Sequence, residues 1–385
     1  MELVHVNILE DGEILENYFI RTENGRIQNI DTMDHYRRKQ EEVLDGEQQF
    51  LCPGFIDIHN HGAVGYDAMD GTEEALAGIA GFHFRNGVTS FLATTMTAPL
   101  EQVKNLAGLL ERGLKTEADI LGIHMEGPFL SERNRGAQPG QYLLSPKEEH
   151  LRILDEMKPW IRLITVSPDV PRIGLLLKYC KENGITVSGG HDGAIDEEIY
   201  RAIQGGMKSV THLYCCSSSI SRRQDAVKHI GLTEIGLEDD RLYAEVVADG
   251  HHIPAALFRL IYKCKGYRKM CLVSDEIRAA GLGDGEFMLG SGKHGVPVTV
   301  KDGIALLKSE TAYAGSVTPI RRMVERLVKA GTVPIEQVCY MASSAPAELL
   351  GLKDRGHIRI GCAAHFNILD REGGLRRTVK EDRNG

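Results

Sequence analysis

Cysteine is scarce in this chain of 385 residues: eight are present, and no two form a Cys-x-x-Cys pair. That scarcity excludes a disulfide scaffold and gives no support to a zinc knuckle or dithiol redox motif. Cys215 and Cys216 are adjacent, and pairing them with each other would strain the backbone, so all eight are read as reduced thiols. Positive charge is also in deficit, with a net charge of −9. No broad basic face is forced by such a chain, so nucleic acid is not expected as a partner, although a local basic pocket stays open. No run of 18 apolar residues occurs and the first residues, Met1-Glu2-Leu3-Val4-His5, hold no basic leader. Neither a membrane span nor a signal peptide is expected, and the expected location is cytoplasmic. What is there is ordinary globular material: 42% hydrophobic, 26% charged and only 13 prolines. The length exceeds the usual single-core limit, so one large domain with a smaller companion is expected.

Residues 1–50 read as short strands. Val4, Val6 and Ile8 alternate, Leu15, Tyr18 and Ile20 follow, and Asn24-Gly25 supplies a hairpin turn into Ile27 and Ile30. The charged stretch Asp31 to Gln49 reads as solvated. From Pro53 the texture changes to strand and helix in alternation. Candidate strands span 54–59, 88–94, 120–126, 161–167, 185–190, 208–213, 243–249 and 269–275, with helical stretches at 73–86, 99–115, 171–183, 194–205 and 254–264. Eight strands with intervening helices is the count of a (β/α)₈ TIM barrel, an α/β fold. Two further helices are expected at about 318–330 and 334–350, and the tail at 356–361 and 366–370 is strand-like. The expected domains are a small β-domain built from 1–52 and 346–385, and a barrel over 53–345.

The strongest signal is a rhythm in these strands. Six apolar runs each end in a residue able to bind a metal or move a proton: His59 and His61, Glu126, His191, His212, Asp249 with His252, and Asp275. Barrel enzymes do their chemistry where strand ends converge. Imidazole and carboxylate suit zinc or iron, with a coordination position left for water. Glu126, His191 and His212 would supply three ligands; His59 and His61, two residues apart, face one side of their strand and would join the same ion or hold a second. Asp275 suits a general base, against the plainer reading of a helix N-cap. His5, His35, His83, His150, His229, His294, His357 and His365 fit no such pattern and read as structural or solvent-facing.

Several segments resemble a known family. Pro53-Gly54-Phe55-Ile56-Asp57-Ile58-His59-Asn60-His61-Gly62 resembles the opening strand of the amidohydrolase superfamily. His124-Met125-Glu126-Gly127-Pro128-Phe129-Leu130, Gly190-His191, Thr211-His212-Leu213-Tyr214, Ala248-Asp249-Gly250-His251-His252 and Ser274-Asp275 are similar to its deacetylases of N-acetylated amino sugar 6-phosphates, N-acetylglucosamine 6-phosphate among them. Tyr313-Ala314-Gly315-Ser316 and Asp354-Arg355-Gly356 resemble later signatures, so the likeness runs from about residue 1 to 370. The resemblance implies an amidohydrolase-type TIM barrel with a small β-sandwich from both chain ends, and amide hydrolysis dependent on one or two zinc or iron ions. It implies Glu126, His191 and His212 as ligands of the main metal, with His59 and His61 as the pair of members that hold a second, and Asp275 as acid and base. It implies substrate contacts at Ala137, Gln138, Asp249, His252, Tyr313, Ala314 and Gly315, and at the Cys215-Cys216 step. Arg223 matches an arginine that reaches the phosphate of a neighbouring subunit's substrate, which implies a homodimer.

The chain departs from the family pattern where Cys215-Cys216 replaces the usual Asn-Ala, which removes an amide donor and acceptor. Asp192 stands where Thr often follows the histidine, and Arg222-Arg223-Gln224-Asp225 lacks the family's Pro-Gly step. Two alternatives stay open: an amidohydrolase for another amide or cyclic amide, and a catalytically silent sugar-binding barrel. Every ligand position is filled, which argues against the silent barrel.

Overall fold

A computed structural model describes residues 1–221, 226–292, 294–308 and 312–381. Its first element already shows local chemistry overriding simple alternation. The strand Glu2–Glu10 buries Leu3, Val4, Val6, Ile8 and Leu9 together, because His5 takes a left-handed φ of 51° and shifts the register between Leu3 and Val6. Leu3, Val6 and Ile8 then enter the core of the end sheet, while Leu9 joins the barrel core. The hairpin expected at Asn24-Gly25 forms: both residues have positive φ, 51° and 71°, and Glu23 pairs with Arg26.

Strands from both chain ends make one mixed seven-stranded sheet. From the N-terminal part come Glu2–Glu10, Glu13–Glu23, Arg26–Thr32, Val43–Asp45 and Phe50–Pro53. His365–Leu369 pairs antiparallel with Phe50–Pro53, and Leu375–Lys380 forms the outer edge. Two expectations need correction here. The stretch Asp31 to Gln49 is not simply solvated: Tyr36 packs edge-on to Phe19 at 5.2 Å and donates a 2.7 Å hydrogen bond to buried Glu2, and Val43–Asp45 pairs in parallel with the first strand. Residues 356–361 form no strand; turns carry them, with Ile358 buried in the sheet's core.

The second sheet is the barrel. Its eight parallel strands run in chain order: Phe55–Asn60, Val88–Thr95, Asp119–Glu126, Ile161–Val166, Thr186–Gly189, Met207–Val210, Tyr243–Val246 and Met270–Leu272. Four are buried along their whole length and the other four over most of it, as parallel strands covered on both faces are. First and eighth strands share no ladder, but Asp275 N–H donates to the His59 carbonyl at 2.8 Å across that seam. Amphipathic helices pack outside; Ile320–Lys329 buries Ile320, Met323, Val324 and Leu327 at helical spacing. The continuous helix expected at 334–350 is instead two, Ile335–Ala342 and Ser344–Leu349, broken at Ser343. Pro346 explains the break: it lacks an N–H and crowds the carbonyl four residues back, so it is tolerated only in the first turn of a new helix.

An element absent from the strand–helix count lies after the eighth strand. Gly285–Leu289, Val296–Lys301 and Ile304–Leu307 form a three-stranded antiparallel sheet around Met96, Ile277, Leu289, Val298 and Ala314. It stands beside the C-terminal mouth of the barrel. Among the described residues, no helix is long and apolar enough to cross a membrane.

Candidate active site

Strand ends deliver the charged side chains to one point. Glu126 ends the third strand; His191 and His212 follow the fifth and sixth; Asp275 follows the eighth; His59 and His61 come from the first. His191 Nε2 and His212 Nε2 lie 3.0 and 3.1 Å from the same Glu126 oxygen, and 3.0 Å from each other. His59 Nε2 lies 3.5 Å from both Glu126 Oε1 and Asp275 Oδ1. His61 Nε2 lies 3.4 Å from Glu126 Oε2 and from Asp275 Oδ1. Two adjacent groups of metal-ligating atoms result, Glu126–His191–His212 and His59–His61–Asp275, each within 4.8 Å. Glu126 joins the first group to the second through its contacts with His59 and His61. His191, His212 and Asp275 hold left-handed φ values of 48°, 29° and 50°, which cost each non-glycine residue about 1–3 kcal/mol. The backbone at these three strand ends is bent to aim the side chains inward.

Electrostatics follow from the crowding. Burial would lower the His61 pKa, yet the Asp275 and Glu126 carboxylates outweigh it and raise it to about 10. Burial likewise opposes His191, whose pKa is raised well above its usual value by Cys216 and Glu126, and His59, which Asp275, Glu126 and Glu245 raise. Burial would raise Asp275 and Glu126; instead His59, His61 and His212 hold Asp275 down to about 2, and His59 and His191 hold Glu126 well below the carboxylate range. Without a cation, imidazolium protons balance these carboxylates. A divalent ion at the same point would replace those protons. The fit to such an ion rests on converging nitrogen and oxygen atoms, and on His59 Nε2, which is buried without a hydrogen-bond partner. One carboxylate with several imidazoles suits zinc or iron.

Above this point opens a cavity of about 250 Å³. Of the residues singled out from the sequence, His61, Glu126, Ala137, Gln138, His191, His212, Cys215, Cys216, His252, Asp275, Tyr313 and Gly315 line it. His59 lies beneath the cavity. Gln138 accepts from Thr97 N–H at 2.8 Å, which turns its NH₂ toward Glu126 Oε2 at 2.5 Å. Asp249 stands behind the wall, where it accepts from the N–H groups of His251 and His252 and lies 2.7 Å from His252 Nδ1. That leaves His252 Nε2 for a ligand, with the ring packed 4.2 Å from that of Tyr313. Ala314 is buried in the apolar core of the three-stranded sheet. Arg223 lies outside the described residues, and among the described residues the cavity wall holds no lysine or arginine.

Other residues here escaped the sequence reading. Tyr214, Leu289 and Ala312 also line the cavity. Glu245 is fully buried beneath it, and the signal was legible: one carboxylate in the apolar strand Ala244-Glu245-Val246-Val247. His83, read as structural or solvent-facing, is buried against Asp57 and Glu276, with ligand atoms of all three within 4.8 Å. Burial alone lowers the His83 pKa to about 3; burial with the nearby Asp57 charge raises Glu276 well above the usual range.

Comparison with known proteins agrees with this geometry. A model of the amidohydrolase family matches residues 50–384. The chain is 31% identical over 367 residues to the N-acetylglucosamine-6-phosphate deacetylase of Vibrio furnissii, covering 92% of this chain and 87% of that one. It is 30% identical over 338 residues to the N-acetylgalactosamine-6-phosphate deacetylase of Escherichia coli O157:H7, covering 85% of each. The crystal structure of N-acetylglucosamine-6-phosphate deacetylase from Pasteurella multocida superposes with a TM-score of 0.91 at 25% identity, over 99% of this chain and 98% of that one.

Proposed function

That this chain belongs to the amidohydrolase family, and so is a metal-dependent hydrolase, is the premise from which we propose its reaction. We propose that it hydrolyses the acetamide of an N-acetylated amino sugar 6-phosphate, N-acetylglucosamine 6-phosphate or a close relative, to acetate and the amino sugar phosphate. The observation that carries this reading is the meeting of Glu126, His191 and His212 within hydrogen-bond reach at the floor of one cavity, with His61 Nε2 3.4 Å from both Glu126 and Asp275 beside them. Relatives named for this chemistry on two epimeric sugars support it.

In this reading Glu126, His191 and His212 hold the main metal, zinc or iron, and His59 and His61 join it or hold a second ion. A bound divalent cation supplies Lewis acidity toward a carbonyl and toward water. The protein's own residues do the rest. Asp275, held ionised, takes the proton of the attacking water as the new C–O bond forms. It returns that proton to the sugar nitrogen as the C–N bond breaks, so that acetate and a free amine leave. His252, its Nδ1 engaged by Asp249, presents Nε2 to the substrate, and Gln138 braces Glu126. Tyr313, Gly315, Ala137 and the Cys215-Cys216 step shape the acetamide and sugar seat. Arg223 of a second copy in a homodimer would meet the phosphate. The substrate is a small molecule, with no nucleic acid or membrane partner and a cytoplasmic setting.

A panel of N-acetylated hexosamines, with and without the 6-phosphate, assayed for free amine tests this reading. Release from a phosphorylated member and little from its unphosphorylated counterpart is the expected result. Silence across every phosphorylated member would remove the assignment and favour another amide, in keeping with the Cys215-Cys216 departure and with a wall that holds no lysine or arginine among the described residues.

A further inference from the structure

A connected polar layer crosses the barrel interior directly below the site. His59 Nδ1 lies 3.2 Å from Glu245 Oε2. The other Glu245 oxygen accepts from Ser188 Oγ at 3.1 Å, and Ser188 in turn accepts from Thr211 Oγ1 at 2.6 Å. Thr165 Oγ1 sits 2.8 Å from Thr211 Oγ1 and 2.8 Å from His124 Nε2. His124 Nδ1 donates to the Ile58 carbonyl at 3.0 Å, which brings the chain of contacts back beside His59. The His124 ring also packs edge-on to His59, 4.6 Å away at 79°.

Each link constrains His59. Glu245 and His59 are both 0% exposed, so no water competes for either. A buried carboxylate in an apolar strand is costly unless fully paired, and both oxygens of Glu245 have partners. A carboxylate oxygen can only accept, so His59 Nδ1 must carry the proton. When the ring holds that one proton, the lone pair falls on Nε2, the atom that points at Glu126 and Asp275 and has no hydrogen-bond partner. A carboxylate behind a histidine that fixes its tautomer and ring orientation is a known device for metal ligands.

We infer that Glu245 is a positioning residue which holds His59 as an Nε2 metal ligand, with Ser188 and Thr211 bracing it from behind. This rests on the reading of His59 as a ligand. The test uses the full chain, stripped with a chelator and titrated with zinc alone. His59→Asn should weaken zinc binding. Glu245→Gln should weaken it about 10–100-fold, with the circular dichroism and melting of the zinc-free chain little changed. The double variant should bind no more weakly than His59→Asn alone, because Glu245 acts through His59. Ser188→Ala, which removes one bond to Glu245, should shift affinity in the same direction by less, and it carries the test if Glu245→Gln does not fold. Zinc binding weakened by His59→Asn but untouched by Glu245→Gln or Ser188→Ala, or additive losses in the double variant, would overturn the inference alone. Zinc binding untouched by His59→Asn would overturn the reading of His59 as a ligand, and the inference with it.

Discussion

Asp275 combines features that a helix cap does not require. Its φ of 50° is left-handed, its side chain is buried among His59, His61 and His212, and its backbone N–H closes the barrel seam onto His59. The surrounding imidazoles keep it ionised, so that its carboxylate is free of a proton before the reaction. Asp275→Asn keeps the volume and removes that capacity. Turnover should fall about 10²–10⁴-fold, while metal analysis still finds the ion held by Glu126, His191 and His212. Retained turnover would place the base elsewhere. Residue identity alone pointed to Asp275, because a carboxylate ending an apolar strand is a local feature. A lone carboxylate in an apolar strand marks Glu245 too, but nothing local says that its partner is His59, 186 positions away.

At the scale of elements, the sheet built from both chain ends is tied to the barrel at the end opposite the site. Asp119 opens the third barrel strand, where Arg355 Nη1 reaches it at 2.9 Å and Lys380 Nζ at 2.7 Å. Arg355 also donates to Ser90 Oγ of the second strand. The Asp354-Arg355-Gly356 signature is thus a clamp between elements and not part of the cavity wall. Burial would raise the Asp119 pKa, but Lys380, His365 and Arg355 outweigh it and hold it below its ordinary value. A carboxylate held low in the folded state stabilises fully above its unfolded value, near about 4, and loses that contribution as pH falls through the folded value. Asp119→Asn should therefore melt below the wild-type temperature at pH 7, and the gap should close as the pH drops below about 4. A gap that persists or widens in acid would show that packing, not charge, sets the contribution of Asp119. Strands and most helices were legible from apolar runs and caps. The helix break at Ser343 was legible from Pro346 only with hindsight about its position in the turn, and the three-stranded sheet at 285–307 was not, since it interrupts the strand–helix alternation.

For the whole molecule, five strand ends share one charged centre, so the centre's occupancy bears on the stability of the entire barrel. Four imidazoles and two carboxylates crowded together favour the folded state most when a cation neutralises them. A ligand that binds only the folded chain stabilises it by about 2.7 kcal/mol at a concentration of 100 Kd. Chelation should lower the melting temperature by several degrees, and zinc or iron(II) should restore it; a melting temperature indifferent to both would argue against a bound metal. By itself the sequence determined the barrel's strand count, the residues able to bind a metal and the end of the barrel where they stand. These follow from local periodicity and from side-chain chemistry, and each can be read within about ten residues. Only the tertiary structure decided that Glu126 joins the two ligand groups, that Glu245 backs His59, that His83 is buried against Asp57 and Glu276, and that Leu289 and Ala312 close the cavity. Those are contacts between distant segments, and no periodicity within a segment carries the distance from one strand to its neighbours across a closed barrel.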